Sequence, residues 1–194
     1  MLINELNHRV KNTLSIVQSL AYQTLRGADV PVSVREAFTG RLVALAEAHD
    51  LLNGEKWAGA SLNGVLLQAI QAQALDMVDR IHLDGPELRL DPKQALSIAM
   101  GTHELLSNAI KYGALSTSSG SINISWRVYG EAPMWMELSW WERGGPQVVA
   151  PIRSGFGSRL IQRGLPAELE GEASLFFASE GVRCVINAPL TMAS

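Results

Sequence analysis

The stretch THELLSNAIKYGA contains a carboxylate, an amide and an amine that follow one another at helical spacing. Glu104 and Asn108 are four residues apart and Lys111 follows three residues later, so all three side chains project from one side of a helix. Hard oxygen donors bind or orient Mg²⁺, and an ammonium group stabilises phosphate charge. The spacing therefore indicates a magnesium–triphosphate site. The alternative is a solvated helix face that carries an ordinary acid–base pair.

Two glycine-rich segments follow this helix. WWERGGP places Gly144 and Gly145 directly after a strand that carries Glu142. GFGSRLI places Gly155 and Gly157 at a turn that opens a helix, where free backbone N–H groups and the helix dipole can hold phosphate. Each segment alone is weak evidence, because most glycine turns bind nothing. Their order after THELLSNAIKYGA favours a phosphate site.

A further polar cluster, ELNHRVKN, lies near the start of the chain. His8 stands on the polar side of an otherwise leucine-spaced helix, where packing alone does not require a histidine. Taken by itself, His8 is interpreted most simply as a surface histidine.

Two amphipathic helices are predicted before the first change of pattern. Apolar residues at helical spacing indicate helices over residues 2–26 and 34–53, joined by a turn. Together they predict an antiparallel hairpin whose apolar seam must pack against a second hairpin or the rest of the chain. With a boundary near residues 54–60, we predict a hairpin domain at 1–55 and a second domain at 58–194.

The second domain mixes helices and strands. Ser61 is a plausible N-cap for a helix over 61–76, and Asp91 followed by Pro92 is a strong start signal for a helix to about residue 113. The predicted strands are RIHLDG, ELRL, SINISWRVYG, MWMELSWWE, ASLFFAS and VRCVINAPL. The predicted fold class is therefore α+β: the helical hairpin, then an α/β sandwich with helices on one face of a mixed sheet.

Composition narrows the class of protein further. The 194 residues are 47% hydrophobic and 18% charged, with a net charge of −3, which gives no bulk reason to expect nucleic-acid or acidic-membrane binding. The single cysteine, Cys184, lies in an apolar run and is predicted to be a buried structural residue. No apolar stretch reaches about 18 residues, so a cytoplasmic protein is expected.

Taken together, the motifs resemble those of the HWE histidine kinases. HELLSNAIKYGALS is similar to the N box of the GHKL ATP-binding fold, WWERGGP and GFGSRLI to its two glycine boxes, and ELNHRVKN to the phosphoacceptor box. The subfamily is named for an N-box histidine, here His103, and for Trp-x-Glu at the first glycine box, here Trp140 and Glu142. The four motifs occur in the family's order along nearly the whole chain.

The resemblance implies roles in ATP binding for most of these residues. Asn108 would ligate the Mg²⁺ that bridges the ATP phosphates, Glu104 would polarise a metal-bound water or catalytic group, and Lys111 would lie near the phosphates. Glu142 stands where most histidine kinases carry an aspartate that accepts a hydrogen bond from the adenine amino group. Backbone approach to the nucleotide and closure over the phosphates would involve Gly144, Gly145, Gly155, Gly157, Ser158 and Arg159.

In the acceptor box, the resemblance makes His8 the phosphorylated residue. Arg9 would neutralise the incoming phosphoryl group. Many histidine kinases carry an acidic residue in the position of Arg9, so Glu5, one turn earlier, becomes the candidate for holding the imidazole tautomer. His103 lies on the apolar side of its helix and is expected to be a hydrogen-bonded core residue that supports the Trp140 strand.

The implied activity is ATP-dependent autophosphorylation on histidine, followed by phosphoryl transfer to an aspartate in the receiver domain of a response regulator. Two alternatives stay open: a phosphotransfer module with a decayed kinase domain, and a serine kinase or ATPase of the same fold. The hairpin favours a homodimer, with a monomer as the alternative. No nucleic-acid or membrane partner is expected for this chain.

Overall fold

The computed structural model describes residues 59–148 and 156–190, together with positions 13, 16–17, 19–20, 23–24, 30–32, 34–35, 38–43 and 45–46. The described residues between 13 and 24 are helical, and so are those between 32 and 46. This agrees with the two predicted N-terminal helices. The antiparallel hairpin and the domain limits 1–55 and 58–194 stay predictions.

The larger domain begins with a short strand and a capped helix. Strand β1 (Ala60–Ser61) pairs antiparallel with β3 (Arg89–Leu90), and helix α1 (Leu62–Ala74) follows β1 directly. The Gly64 N–H donates a 2.9 Å hydrogen bond to Ser61 Oγ, which confirms the predicted N-cap. A 3₁₀ turn, Leu75–Arg80, then leads into strand β2 (Ile81–Asp84).

Helix α2 (Pro92–Lys111) starts where the sequence predicts. The Gln94 N–H donates to Asp91 Oδ1 at 2.8 Å, and the Asp91 N–H donates to Gln94 Oε1 at 3.4 Å, which together form a capping box. The Gln94 side chain also donates from Nε2 to the Pro189 carbonyl at 2.7 Å. The start of α2 is therefore fixed both locally and against the sheet.

The main sheet has five strands in the order β2-β4-β5-β7-β6. Strand β2 runs parallel to β4 (Ser121–Tyr129), whereas β5 (Trp135–Arg143), β7 (Gly181–Pro189) and β6 (Glu172–Ala178) pair antiparallel. The sheet is therefore mixed, as predicted. Every second side chain of β5 is buried, because one face of the sheet forms the core with the helices.

A broken helical segment lies between β5 and β6. It consists of α3 (Phe156–Arg159), a π-helical turn (Leu160–Gly164) and α4 (Leu165–Leu169). A Cβ atom at Gly101 of α2 would collide with the Leu165 side chain, so the glycine allows α2 and α4 to approach closely. The helix predicted after the second glycine segment is confirmed, whereas Gly155 lies outside the described residues.

The core confirms the structural assignment of the cysteine. Cys184 is buried among apolar side chains of the sheet and helices, and this burial raises the pKa of its thiol to about 12. Such a thiol is inert at neutral pH. Among the residues that the structure describes, no helix is both long enough and apolar enough to cross a lipid bilayer.

Replacing Asp91 by Ala should lower the free energy of unfolding by about 1–2 kcal/mol, because it removes the side-chain oxygen that accepts from the Gln94 N–H, whereas the backbone N–H at position 91 can still donate to Gln94. Urea denaturation followed by circular dichroism measures the loss. Glu87→Ala, which removes a carboxylate from an exposed loop, is the matched control and should change stability little. Equal effects of the two substitutions would contradict the capping role of Asp91.

Candidate active site

The end of α2, the loop after β5 and the start of α3 meet in one region. A Cβ atom at Gly145 would lie only 2.8 Å from the Cα of Ala114, just after α2. A Cβ atom at Gly157 of α3 would lie 2.5 Å from Glu104 Oε2 and 3.6 Å from Asn108 Nδ2. Only glycine permits such approaches without displacement of its neighbours. The structure thus brings the three predicted nucleotide-binding segments together.

Glu142 is a buried anchor at the centre of this region. Its side chain, on a residue that is only 2% exposed, accepts a 2.8 Å hydrogen bond at Oε2 from the Ala114 N–H. Oε1 accepts a 3.2 Å hydrogen bond from the indole Nε1 of Trp140. These bonds join β5 to the turn that follows α2. A Cβ atom at Gly113 would overlap the Glu142 carboxylate, so this glycine is what allows the turn to come so close.

Trp140 has the packing role that its strand position predicts. It is buried on the inner face of β5 together with Leu138, and its indole also positions Glu142. Residues two apart in a strand share a face, so the Trp-x-Glu spacing already contained the signal for this hydrogen bond. The bond itself was not among the features expected from the sequence.

The turn after α2 is held by two residues that sequence analysis missed. Thr117 donates from Oγ1 to the Gly144 carbonyl at 2.9 Å and accepts at the same atom from the Gly120 N–H at 3.1 Å. Arg80 donates from Nη1 to the carbonyls of Thr117 and Gly120. Gly144 itself has a φ of +71°, a conformation that favours glycine. Residues of this kind could not be found from the sequence, because no regular spacing distinguishes them from other polar loop residues.

Glu104 is buried, whereas Asn108 and Lys111 on the same helix are exposed. The guanidinium of Arg41, in the N-terminal helical segment, donates from Nε to Glu104 Oε1 at 2.5 Å and from Nη2 to Oε2 at 3.0 Å. This is a bidentate ion pair. The interpretation of this helix face as merely solvated therefore does not hold at Glu104.

His103 lies beside this ion pair. Its Nδ1 is 3.9 Å from Glu104 Oε1, and a Cβ atom at Gly40 would lie 3.3 Å from His103 Cε1. Burial lowers the pKa of His103; Glu104 raises this pKa, while Arg41 and Lys111 lower it. Within the described part of the chain Nδ1 has no hydrogen-bond partner. The His103 ring thus faces the N-terminal segment, and its Nδ1 lacks, among the described residues, the hydrogen bond that was expected for a core histidine.

The remaining predicted site residues divide into two groups. Ser158 is half-buried and Arg159 exposed on α3, next to Gly157 and therefore near Asn108. The positions of Glu5, His8, Arg9 and Gly155 fall outside the described residues, and their roles stay predictions.

The donor chemistry at Asn108 is compatible with Mg²⁺. No group of three or more His, Cys, Asp or Glu side chains that could hold a metal occurs among the described residues. Mg²⁺ in nucleotide sites keeps several waters and is bound by one or two protein oxygens together with substrate phosphates. The exposed amide of Asn108 meets this requirement, whereas both oxygens of Glu104 are engaged by Arg41.

Comparison with known proteins places these features in one family. Residues 5–87 match the sequence model of the HWE histidine kinases. A blue-light-activated histidine kinase of Brucella ovis is 39% identical over 190 residues, which cover 96% of this chain and 38% of that protein. A blue-light-activated histidine kinase of Brucella anthropi is 39% identical over 194 residues, covering 98% and 39% respectively. The chain thus spans about two fifths of the length of these curated relatives.

Solved structures show the same architecture. The histidine kinase domain of a blue-light activated histidine kinase from Erythrobacter litoralis aligns over 97% of this chain and 90% of that domain, with a TM-score of 0.62 and 19% identity. At this identity the likeness supports the fold alone. It agrees with the α+β class and the mixed sheet expected from sequence.

The buried Glu142 should make stability depend on pH. Burial raises the pKa of its carboxyl above the ordinary value, while the bonds from Ala114 and Trp140 oppose this shift. Its contribution to stability is therefore complete below the ordinary carboxyl pKa and is lost as pH rises through the raised folded-state pKa. Relative to Glu142→Gln, the wild type should therefore lose unfolding free energy as the pH rises from 4 to 8.

Urea denaturation at several pH values measures this difference, with Glu137→Gln as the control. The Arg127 hydrogen bond lowers the pKa of Glu137, so any contribution from that half-buried residue has the opposite sign and is lost on acidification. A pH-independent difference between wild type and Glu142→Gln would contradict the raised pKa of Glu142.

Proposed function

Because the chain belongs to the HWE histidine kinase family, we propose that it is the catalytic core of a protein-histidine kinase, which transfers the γ-phosphoryl group of ATP to its own His8. The observation that carries the proposal is the approach of Gly157 to both Glu104 and Asn108. It joins the second glycine box to the N-box helix, as a triphosphate held between them requires.

In this proposal, the nucleotide binds where α2, the β5 loop and α3 meet. Asn108 would ligate Mg²⁺ and Lys111 would pair with phosphate oxygens, both from the exposed side of α2. When bound, Mg²⁺ neutralises phosphate charge and fixes the triphosphate. Backbone and side-chain contacts to the phosphates are assigned to Gly144, Gly145, Gly155, Gly157, Ser158 and Arg159.

Glu142 would face the adenine. Its two oxygens already accept from Ala114 and Trp140, but a carboxylate oxygen can accept a second hydrogen bond. The adenine amino group would be that second donor. The protein bonds would then serve to hold the carboxylate in a fixed orientation for the base.

The transfer itself needs a neutral imidazole nitrogen as the nucleophile. A nitrogen of His8 attacks the γ-phosphorus; the N–P bond forms as the bond from phosphorus to the β–γ bridging oxygen breaks, and ADP leaves. Arg9 would neutralise charge on the incoming phosphoryl group, and Glu5 would hold the imidazole tautomer. The imidazole proton would pass to a carboxylate, for which Glu104 is our candidate.

Phosphorylated His8 would then pass its phosphoryl group to an aspartate in the receiver domain of a response regulator. We place this activity in the cytoplasm, with the helical hairpin forming a homodimer and a monomer as the alternative. Exposed apolar side chains in the N-terminal segment support a seam that a second hairpin could cover; they include Ile16, Leu20 and Val34.

His8→Ala should abolish phosphorylation while leaving nucleotide binding intact, because it removes the nucleophile and not the ATP site. Label from γ-³²P-ATP in the wild type should be acid-labile and base-stable, as expected for a phosphoramidate. Label that persists in His8→Ala would overturn the assignment of His8. Acid-stable label would instead indicate a serine kinase of the same fold.

Asn108→Ala should weaken Mg·ATP binding by about 1–3 kcal/mol, because it removes the proposed protein ligand of the metal. Titration calorimetry with a non-hydrolysable ATP analogue measures the change. Asn123→Ala, an exposed asparagine on β4, is the control and should bind normally. Absence of Mg·ATP affinity in the wild type would favour a phosphotransfer module with a decayed kinase domain.

A further inference from the structure

The Arg41–Glu104 ion pair connects two parts of the chain that are 63 residues apart. Arg41 belongs to the N-terminal helical segment, and Glu104 to the helix that carries the N box. The Glu104 residue is only 5% exposed, and the Arg41 side chain is 19% exposed. The pair is therefore shielded from solvent far more than an ordinary surface salt bridge.

The geometry leaves Glu104 little freedom. Its two oxygens each face one nitrogen of the Arg41 fork, and the backbone of Gly157 lies against Oε2. Charge-assisted bidentate bonds are among the strongest hydrogen bonds in proteins. A carboxylate engaged in this way cannot reorient toward a reacting imidazole or a water without first losing an arginine bond.

We propose that the Arg41–Glu104 ion pair is an autoinhibitory contact, which ties the N-terminal helical segment to the nucleotide domain and withholds Glu104 from phosphoryl transfer. Transfer then requires Arg41 to leave Glu104, so movement of the N-terminal segment sets the availability of the carboxylate. This inference rests on the proposed kinase function for its consequence, whereas the contact itself does not depend on that function.

The cost of separating the pair explains why the contact can act as a block. A buried carboxylate that loses its guanidinium partner is left uncompensated. An activating change must therefore either expose Glu104 to water or supply a new partner. His103, whose Nδ1 already lies 3.9 Å from Glu104 Oε1, is a group that could become this donor.

The first experiment measures the initial rate of autophosphorylation at saturating Mg·ATP. Arg41→Gln removes the charge and should raise the rate by about tenfold, the equivalent of one lost charge-assisted bond. Arg41→Lys keeps the charge without the bidentate fork and should give a smaller rise. ATP affinity should stay within about twofold of the wild type, because Arg41 holds Glu104 and not the nucleotide in this proposal.

Arg127→Gln is the matched control. Arg127 makes a bidentate pair with Glu137 through the same two nitrogens, but on the exposed face of the sheet. This variant should autophosphorylate at the wild-type rate. An unchanged or lower rate in both Arg41 variants would overturn the inhibitory role; a lower rate would instead make Arg41 a positioning residue for Glu104.

The second experiment tests the contact without any enzymatic readout. The chain has four histidines, so the His103 resonance can be assigned by comparison with His103→Gln and titrated by NMR. Arg41 lowers the pKa of His103 and Glu104 raises it, so Arg41→Gln should raise this pKa. Arg127→Gln should leave it unchanged.

The two measurements separate the possible failures. An unchanged His103 pKa in both Arg41 variants would overturn the contact, whatever the kinase assay gives. A raised pKa in a protein that never becomes phosphorylated would reject the proposed kinase function and, with it, the inhibitory role, while leaving the contact intact. If Arg41→Gln does not fold, Arg41→Lys still decides the inhibitory role by its rate, and Arg41→Met, which also removes the charge, takes the place of Arg41→Gln in the NMR titration.

Discussion

The arrangement of the candidate site depends on the hydrogen bonds that the buried Glu142 carboxylate accepts. This carboxylate joins the central strand β5 to the turn after α2 through the Ala114 N–H, and Trp140 from the same strand supports it. Because the turn is fixed to the sheet, the glycine loop that follows β5 can pack directly on it at Gly145. A side chain longer than that of glycine at position 113 could not coexist with this carboxylate.

Glu104 is also a buried carboxylate that needs hydrogen-bond donors, but its donors come from a different part of the chain. Glu142 is satisfied by a backbone N–H and an indole from within the nucleotide domain, both of which are neutral donors. Glu104 is satisfied by a full positive charge that comes from the N-terminal segment. The first arrangement is permanent as long as the domain is folded. The second depends on where another part of the chain lies, so only Glu104 can respond to movement of that segment.

Features that depend on residues close together in the sequence could be predicted, whereas contacts between residues far apart in the sequence could not. The start of α2 was predictable because Asp91, Pro92 and Gln94 act within one turn, and the burial of Trp140 follows from strand alternation. Strand β1 was missed because two residues are too few to show a period. The Arg41–Glu104 pair could not be predicted, because nothing in the sequence around an arginine identifies a partner that lies 63 residues later. The contact of the His103 ring with Gly40 was hidden for the same reason.

The glycines at the α2 interface show how backbone spacing, rather than side-chain chemistry, brings the boxes together. Gly157 lets α3 approach Glu104 and Asn108, and Gly101 lets α2 approach Leu165 of α4. Between these two contacts lies the π-helical turn Leu160–Gly164. A π turn inserts an extra residue into a helix and changes the direction of the side chains that follow it. The segment from α3 to α4 therefore meets α2 twice, at the candidate phosphate site through Gly157 and in the core where Leu165 lies against Gly101, with the π turn between the two contacts.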